Sequence, residues 1–233
     1  MESTKNILLT TLVLVVSILF FGISTTDIWV QSHFYDPMTH TWIVDSHNEV
    51  LAFIFYDGIK RLLIMVGIVL FVITLVFWRR PFFLSYRRGM MIVLLSSIAV
   101  PLVVGSLKAL TNMPCPKSLE IFDGTYPHTC VWENYTAKEC HLEQQKCWPA
   151  GHASGGFALL SLIFLLKSRR NKIIAGTVAM VIGWSMGTYK MLIGDHFLSH
   201  TTITMILAWL LILLIVRGLD WTIHKKLKII GVQ

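Results

Sequence analysis

Charge is what this sequence has least of: 14% of its 233 residues are Asp, Glu, Lys or Arg, against 55% hydrophobic residues that include eight Trp. A soluble domain carries about 25% charged residues, so this balance excludes an ordinary soluble domain and suits a lipid solvent. Internal repeats and low-complexity tracts are missing, which excludes a repeat array and leaves residues 1–233 as a single membrane domain. No C-x2-C pair is present, which argues against a zinc knot. A small-x-small cleavage site does not end the first apolar run, so that run reads as a span and not as a removable signal peptide.

What the chain does have is long apolar segments. Runs at Ile7–Ile23, Leu62–Trp78, Met90–Leu107, Ser154–Leu166, Ile173–Tyr189 and Thr201–Val216 predict an all-α bundle of six transmembrane helices. The fourth is long enough only if it begins near Trp148, with His152 and its small neighbours at the membrane surface. If the spans alternate, Lys5, Arg79, Arg80, Arg87, Arg88, the 167–172 cluster and the basic residues from Arg217 onward share one side. They make thirteen of the twenty basic residues, and this side is read as cytoplasmic together with both termini. Eleven of the thirteen acidic residues fall in the three opposite segments, 24–61, 108–153 and 190–200. The net charge of +7 is then a topology signal and gives no reason to expect nucleic-acid binding. Between the first two spans, Val50–Tyr56 is apolar but too short to cross, and predicts a helix lying in the interface.

All four cysteines, Cys115, Cys130, Cys140 and Cys147, fall in one extracytoplasmic loop over residues 111–150. On an oxidising face they predict two disulfides in any of three connectivities. Three stretches on that same face carry chemistry. KALTNMPCP ends the third span with Lys108 and breaks it with prolines. CWPAGHASGG opens the fourth, where Gly151 lets backbone approach a ligand, free helix N–H groups make an anion site, and His152 stands inside it. YKMLIGDHFLSH carries Lys190, His196 and His200, the two histidines spaced to share one face of a helix. Alone, each lysine is a snorkelling cation; together they describe a phosphate pocket.

The chain at this point resembles the type 2 phosphatidic acid phosphatases, a family marked by Lys-x6-Arg-Pro, then Pro-Ser-Gly-His, then Ser-Arg-x5-His-x3-Asp. Here Lys108 precedes Cys115-Pro116 by six residues, Pro149-Ala150-Gly151-His152 follows, and Tyr189-Lys190 leads to His196 and His200 at the family's spacings. Cys115, Ala150, Tyr189, Lys190 and His200 depart from the pattern, and four of the five touch charge or hydrogen bonding to phosphate. The resemblance implies that His196 attacks phosphorus to give a phosphohistidine and His152 protonates the leaving group. Lys108, Lys190 and the Gly151 N–H hold the oxygens, with His200 orienting His196 where the family uses a carboxylate. Lys117 is the nearest cation to make up for the arginine missing at Cys115, and Asp195 offers a carboxylate to polarise His200.

No cofactor is implied, and no metal is assigned. The expected substrate is a membrane lipid phosphate or diphosphate, met at the bilayer on the periplasmic side of a bacterial inner membrane. Three other readings use the same residues. One is a lipid-to-lipid phosphotransferase. A second is a three-histidine metal-dependent hydrolase, disfavoured because the flanking lysines repel a divalent ion. The third is a non-catalytic lipid-binding relic of the fold. A transporter is disfavoured because the spans hold almost no ionisable residue.

Overall fold

Six helices enclose the six apolar runs in the computed structural model, which describes residues 2–133 and 143–230. Helix α1 (Glu2–Ile23) leads to the short α2 (Thr26–Ser32) and a small hairpin of β1 (Tyr35–Asp36) and β2 (Thr41–Trp42), in which Tyr35 faces Trp42. Then come α3 (Glu49–Ala52), α4 (Gly58–Phe77), α5 (Arg87–Leu110), α6 (Gly151–Ala158), α7 (Arg169–Leu192) and α8 (Leu198–Ile230). The architecture is all-α apart from that hairpin. Among the described residues, four helical stretches are long and apolar enough to cross a membrane: Thr4–Ile23, Glu49–Phe77, Arg87–Leu110 and Leu198–Lys225. Helix α6 runs on as a 3-10 helix through Leu159–Phe164 and makes a shorter apolar helix.

One expectation is corrected. Val50–Tyr56 is no separate interfacial helix but the start of a 29-residue helix, Glu49–Phe77, passing through a π-helical turn at Phe53–Asp57. The Asn48 side chain caps it by accepting from the Leu51 N–H at 3.0 Å. No proline follows to stop it, the turn-type pair Asp57-Gly58 stays helical in φ and ψ, and the π-turn absorbs the register change within the helix.

The core lies between α5, α6, α7 and α8, where Ile92, Val104, Ala153, Phe157, Ala179 and Ile212 are buried. Helix α1 packs along α8, and α4 along α5. None of the apolar window of α1 and only 6% of that in Glu49–Phe77 is buried inside the protein. These two helices are therefore apolar on the outside as well, which a lipid surround explains and water does not.

Small residues let the inner helices touch backbone to backbone. A methyl group added at Gly156 of α6 would lie 2.7 Å from the Gly183 Cα of α7, and one added at Gly183 would meet the Phe157 ring at 2.4 Å. Close contact of this kind supplies the van der Waals packing that holds helices together in lipid, where no hydrophobic difference drives them. Gly183→Val is expected to destabilise the protein by about 2 kcal/mol through overpacking. Gly67→Val, where nothing lies within 4 Å, should leave the thermal midpoint in detergent unchanged.

Candidate active site

The ends of α5 and α7 and the starts of α6 and α8 meet at one end of the bundle, and there the three motif segments converge. The His152 and His196 rings lie 5.5 Å apart, and those of His196 and His200 5.4 Å apart. A hydrogen bond of 3.2 Å joins His196 Nδ1 to His200 Nδ1. The two do not share a helix face as their spacing suggests. Only His200 is on α8, while His196 sits in the turn before it. That turn forms because Gly194 adopts φ +75° where α7 ends, and the N–H groups of Asp195 and His196 both donate to the Lys190 carbonyl, at 2.8 and 3.2 Å. Gly194 is also required sterically, because a Cβ there would lie 2.4 Å from the Trp42 indole.

One proton serves the shared Nδ1···Nδ1 bond. With His196 as the donor, its Nε2 keeps the lone pair, and this buried nitrogen has no hydrogen-bond partner among the described residues. Burial first, then the neighbouring His200, His152, Lys108 and Lys190, hold the His196 imidazole well below its ordinary 6.5. It is neutral at pH 7, the state a nucleophile needs.

Lys108 and Lys190 lie close enough to act on this group, and Lys117 joins them through Asp195. The Lys190 ammonium is 2.8 Å from Asp195 Oδ2 and lies 4.8 Å over the Tyr56 ring. Lys117 reaches Asp195 Oδ1 at 2.7 Å, and its backbone N–H donates to the Gly194 carbonyl at 2.9 Å. The Lys108 chain runs beside Gly151, 3.9 Å from where a Cβ would stand. Ala150 gives no side-chain cap to α6, which leaves the first amides of that helix for an anion. Asp195 does not polarise His200, because both its oxygens are taken by lysines. Its own burial pushes the carboxyl up, but the Lys117 and Lys190 ammonium groups outweigh that and hold it below the usual 3.8.

Cys115 and Cys147 form a disulfide that ties the chain after α5 to the segment before α6. The expectation of two disulfides is corrected at Cys130, which carries a free thiol directed at the Gly22 carbonyl, 3.1 Å away. Cys140 lies outside the described residues.

Sequence reasoning missed three contributors. The π-turn aims Tyr56 at the site, where its ring meets His152 edge-on at 4.7 Å. Helix α2 clamps the turn from both sides. Gln31 donates to the Met191 carbonyl at 2.8 Å, and Asp27 accepts the Ser199 N–H at 2.9 Å, capping α8 one residue from His200. Burial raises Asp27 to about 6 against those bonds. Nothing local marks these residues, since their partners lie 160 and 172 positions away.

The His196 shift has a consequence for stability. The unfolded imidazole takes up a proton below 6.5 and the folded one does not, so the folded state loses stability as the pH falls from 6.5. Asp27 works in the opposite sense, losing stability as the pH rises between 3.8 and about 6, so the raw slope mixes the two. Comparison with His196→Asn isolates the histidine. Chemical denaturation at pH 6.5 and pH 5 should show the variant losing about 2 kcal/mol less than the wild type.

A model of the PAP2 superfamily matches residues 89–223, a stretch that holds Lys108, His152, Lys190, His196 and His200. The chain is 27% identical over 187 residues to the lipid A 4'-phosphatase of Francisella tularensis subsp. novicida (strain U112), covering 78% of this chain and 81% of that protein. No solved structure matches. With the family match spanning more than half of the chain and all three motif segments, the protein belongs to the PAP2 superfamily, the type 2 phosphatidic acid phosphatases.

Proposed function

We propose that this protein is a lipid phosphatase that removes a terminal phosphate from a membrane lipid through a phosphohistidine at His196. The observation that carries this reading is the His196–His200 Nδ1 hydrogen bond, which leaves the Nε2 of each ring buried without a partner among the described residues, with the His196 ring 5.5 Å from that of His152 and near Lys108 and Lys190. His196 Nε2 attacks phosphorus, the N–P bond forms as the P–O bond to the lipid breaks, and His152 gives its proton to the departing oxygen. Water then attacks phosphorus with His152 as base, and inorganic phosphate leaves. A bound phosphate dianion favours the protonated form of His152 in the first step. Lys108, Lys190 and the first amides of α6 stabilise the oxygens, a contribution worth on the order of 10²–10³ in rate per donor.

An apolar cavity of about 470 Å³ supports a lipid as the substrate. It opens between Leu51 and Phe55 on one side and Val181, Trp184 and Tyr189 of α7 on the other. Phe55 and Tyr189 stack at 6.1 Å, so the residue standing for the family's serine forms a wall of this groove. Tyr189 precedes Lys190, and Phe55 precedes Tyr56, so the groove adjoins the phosphate pocket along both walls. Six spans with both termini cytoplasmic and the site periplasmic suit this picture. The six apolar runs fall largely within helices, and if the spans alternate, thirteen of the twenty basic residues lie on the opposite side. The alternative three-histidine metal site is disfavoured by Lys108 and Lys190, whose charges reach the same histidines and would repel a divalent ion.

A phosphate-release screen over phosphatidic acid, phosphatidylglycerol phosphate, polyprenyl diphosphate and lipid A tests the proposal. Release from at least one lipid is expected, unaffected by EDTA and lowered at least about 10³-fold in His196→Ala. Activity abolished by EDTA and restored by zinc would favour the metal site, and a fully active His196→Ala protein would remove the nucleophile. Within the same screen, Ser185→Trp, which fills the groove, should depress release from long-chain lipids and spare a soluble phosphomonoester.

A further inference from the structure

Asp195 is an acid set inside a site that binds acids. Its two oxygens bridge Lys117 and Lys190 at 2.7 and 2.8 Å, and its charge also reaches Lys108. The carboxylate is not there by looseness of the loop. Its backbone N–H is bonded to the Lys190 carbonyl, Lys117 is bonded to the Gly194 carbonyl next door, and its side chain is 19% exposed. Three ammonium groups against one carboxylate leave this lysine set with two net positive charges before His152 takes up its proton. Lys60 stands 5.8 Å from the Tyr56 ring centroid and acts on His152 more weakly than Lys108 and Lys190 do, with Asp57 on the same helical turn to offset it.

A phosphomonoester carries about −1.5 to −2 at pH 7, which two net positive charges neutralise. A terminal diphosphate brings at least one more ionised oxygen, which would be left facing Asp195. We infer that Asp195 is a specificity-determining residue that tunes the pocket to lipid monophosphates and against lipid diphosphates. The inference rests on the phosphatase reading above and narrows its substrate class. Asp195 touches the lysines, not the reacting atoms, so it acts by setting charge and lysine position.

The test compares diacylglycerol phosphate with diacylglycerol diphosphate of the same chains, as the ratio of their kcat/KM values. Asp195→Asn adds one net positive charge and should raise the diphosphate-to-monophosphate ratio by about tenfold, for a unit charge acting over a few ångströms with intermediate screening. Lys117→Gln removes one and should lower the ratio. The double variant restores the balance and should return the ratio to within about twofold of the wild type, which a merely structural role for Asp195 would not produce. If Asp195→Asn does not fold, the half-exposed Lys117→Gln decides alone. A ratio unchanged in the folded variants overturns the inference. A wild-type protein that releases phosphate from neither these nor any lipid of the screen above overturns the phosphatase reading instead. The charge balance is then still read from the relative binding of pyrophosphate and inorganic phosphate, where an unmoved preference in the variants sinks it.

Discussion

The hydrogen bond between His196 and His200 is the constraint on which the rest of this site depends. An imidazole has two nitrogens and, when neutral, one proton, so fixing the partner of one nitrogen fixes the state of the other. In the tautomer where His196 donates the 3.2 Å Nδ1 contact, His200 takes that job and His196 Nε2 keeps its lone pair in a buried pocket. A histidine in the orienting position brings no negative charge. The site therefore stays more positive around His196 than it would with a carboxylate there. Burial and nearby lysines keep His196 neutral, and Asp195 supplies the missing negative charge at the lysines instead.

Much of the surrounding structure serves to hold that pair in place. The turn before α8 is fixed from inside by the Lys190 carbonyl, from above by Trp42 packed on Gly194, and from the sides by Gln31 and Asp27 of α2. The Ala150 N–H donates to the His200 carbonyl at 3.3 Å, which joins the second motif to the third, while the Cys115–Cys147 disulfide joins the first to the second. A cysteine where the family has arginine thus trades a phosphate contact for a covalent tie between two of the segments that build the pocket.

The helices were legible because apolar length is a one-dimensional property: each of the six runs lies in a helix, with ends shifted by a few residues. The motif residues were legible because Lys108, His152, Lys190, His196 and His200 sit at fixed spacings next to span ends. Residues acting across the fold were not. Asp27 and Gln31 meet partners far along the chain, and Tyr56 reads as one more aromatic in VLAFIFY until the π-turn directs it at His152. The cysteine count gave candidates for pairing but no pairs, because connectivity depends on which loops lie side by side. The short histidine spacing suggested a helix face, whereas Gly194 and the Lys190 carbonyl produce the same proximity through a turn.

The central claim is that His196 becomes phosphorylated during turnover. The most direct measurement is to mix the purified protein with a lipid carrying a radiolabelled terminal phosphate, quench in alkali, and map the protein-bound label. The account predicts an alkali-stable, acid-labile label on the peptide holding His196, present in His152→Ala and absent in His196→Asn. Label on His200, or label that persists in His196→Asn, would contradict it.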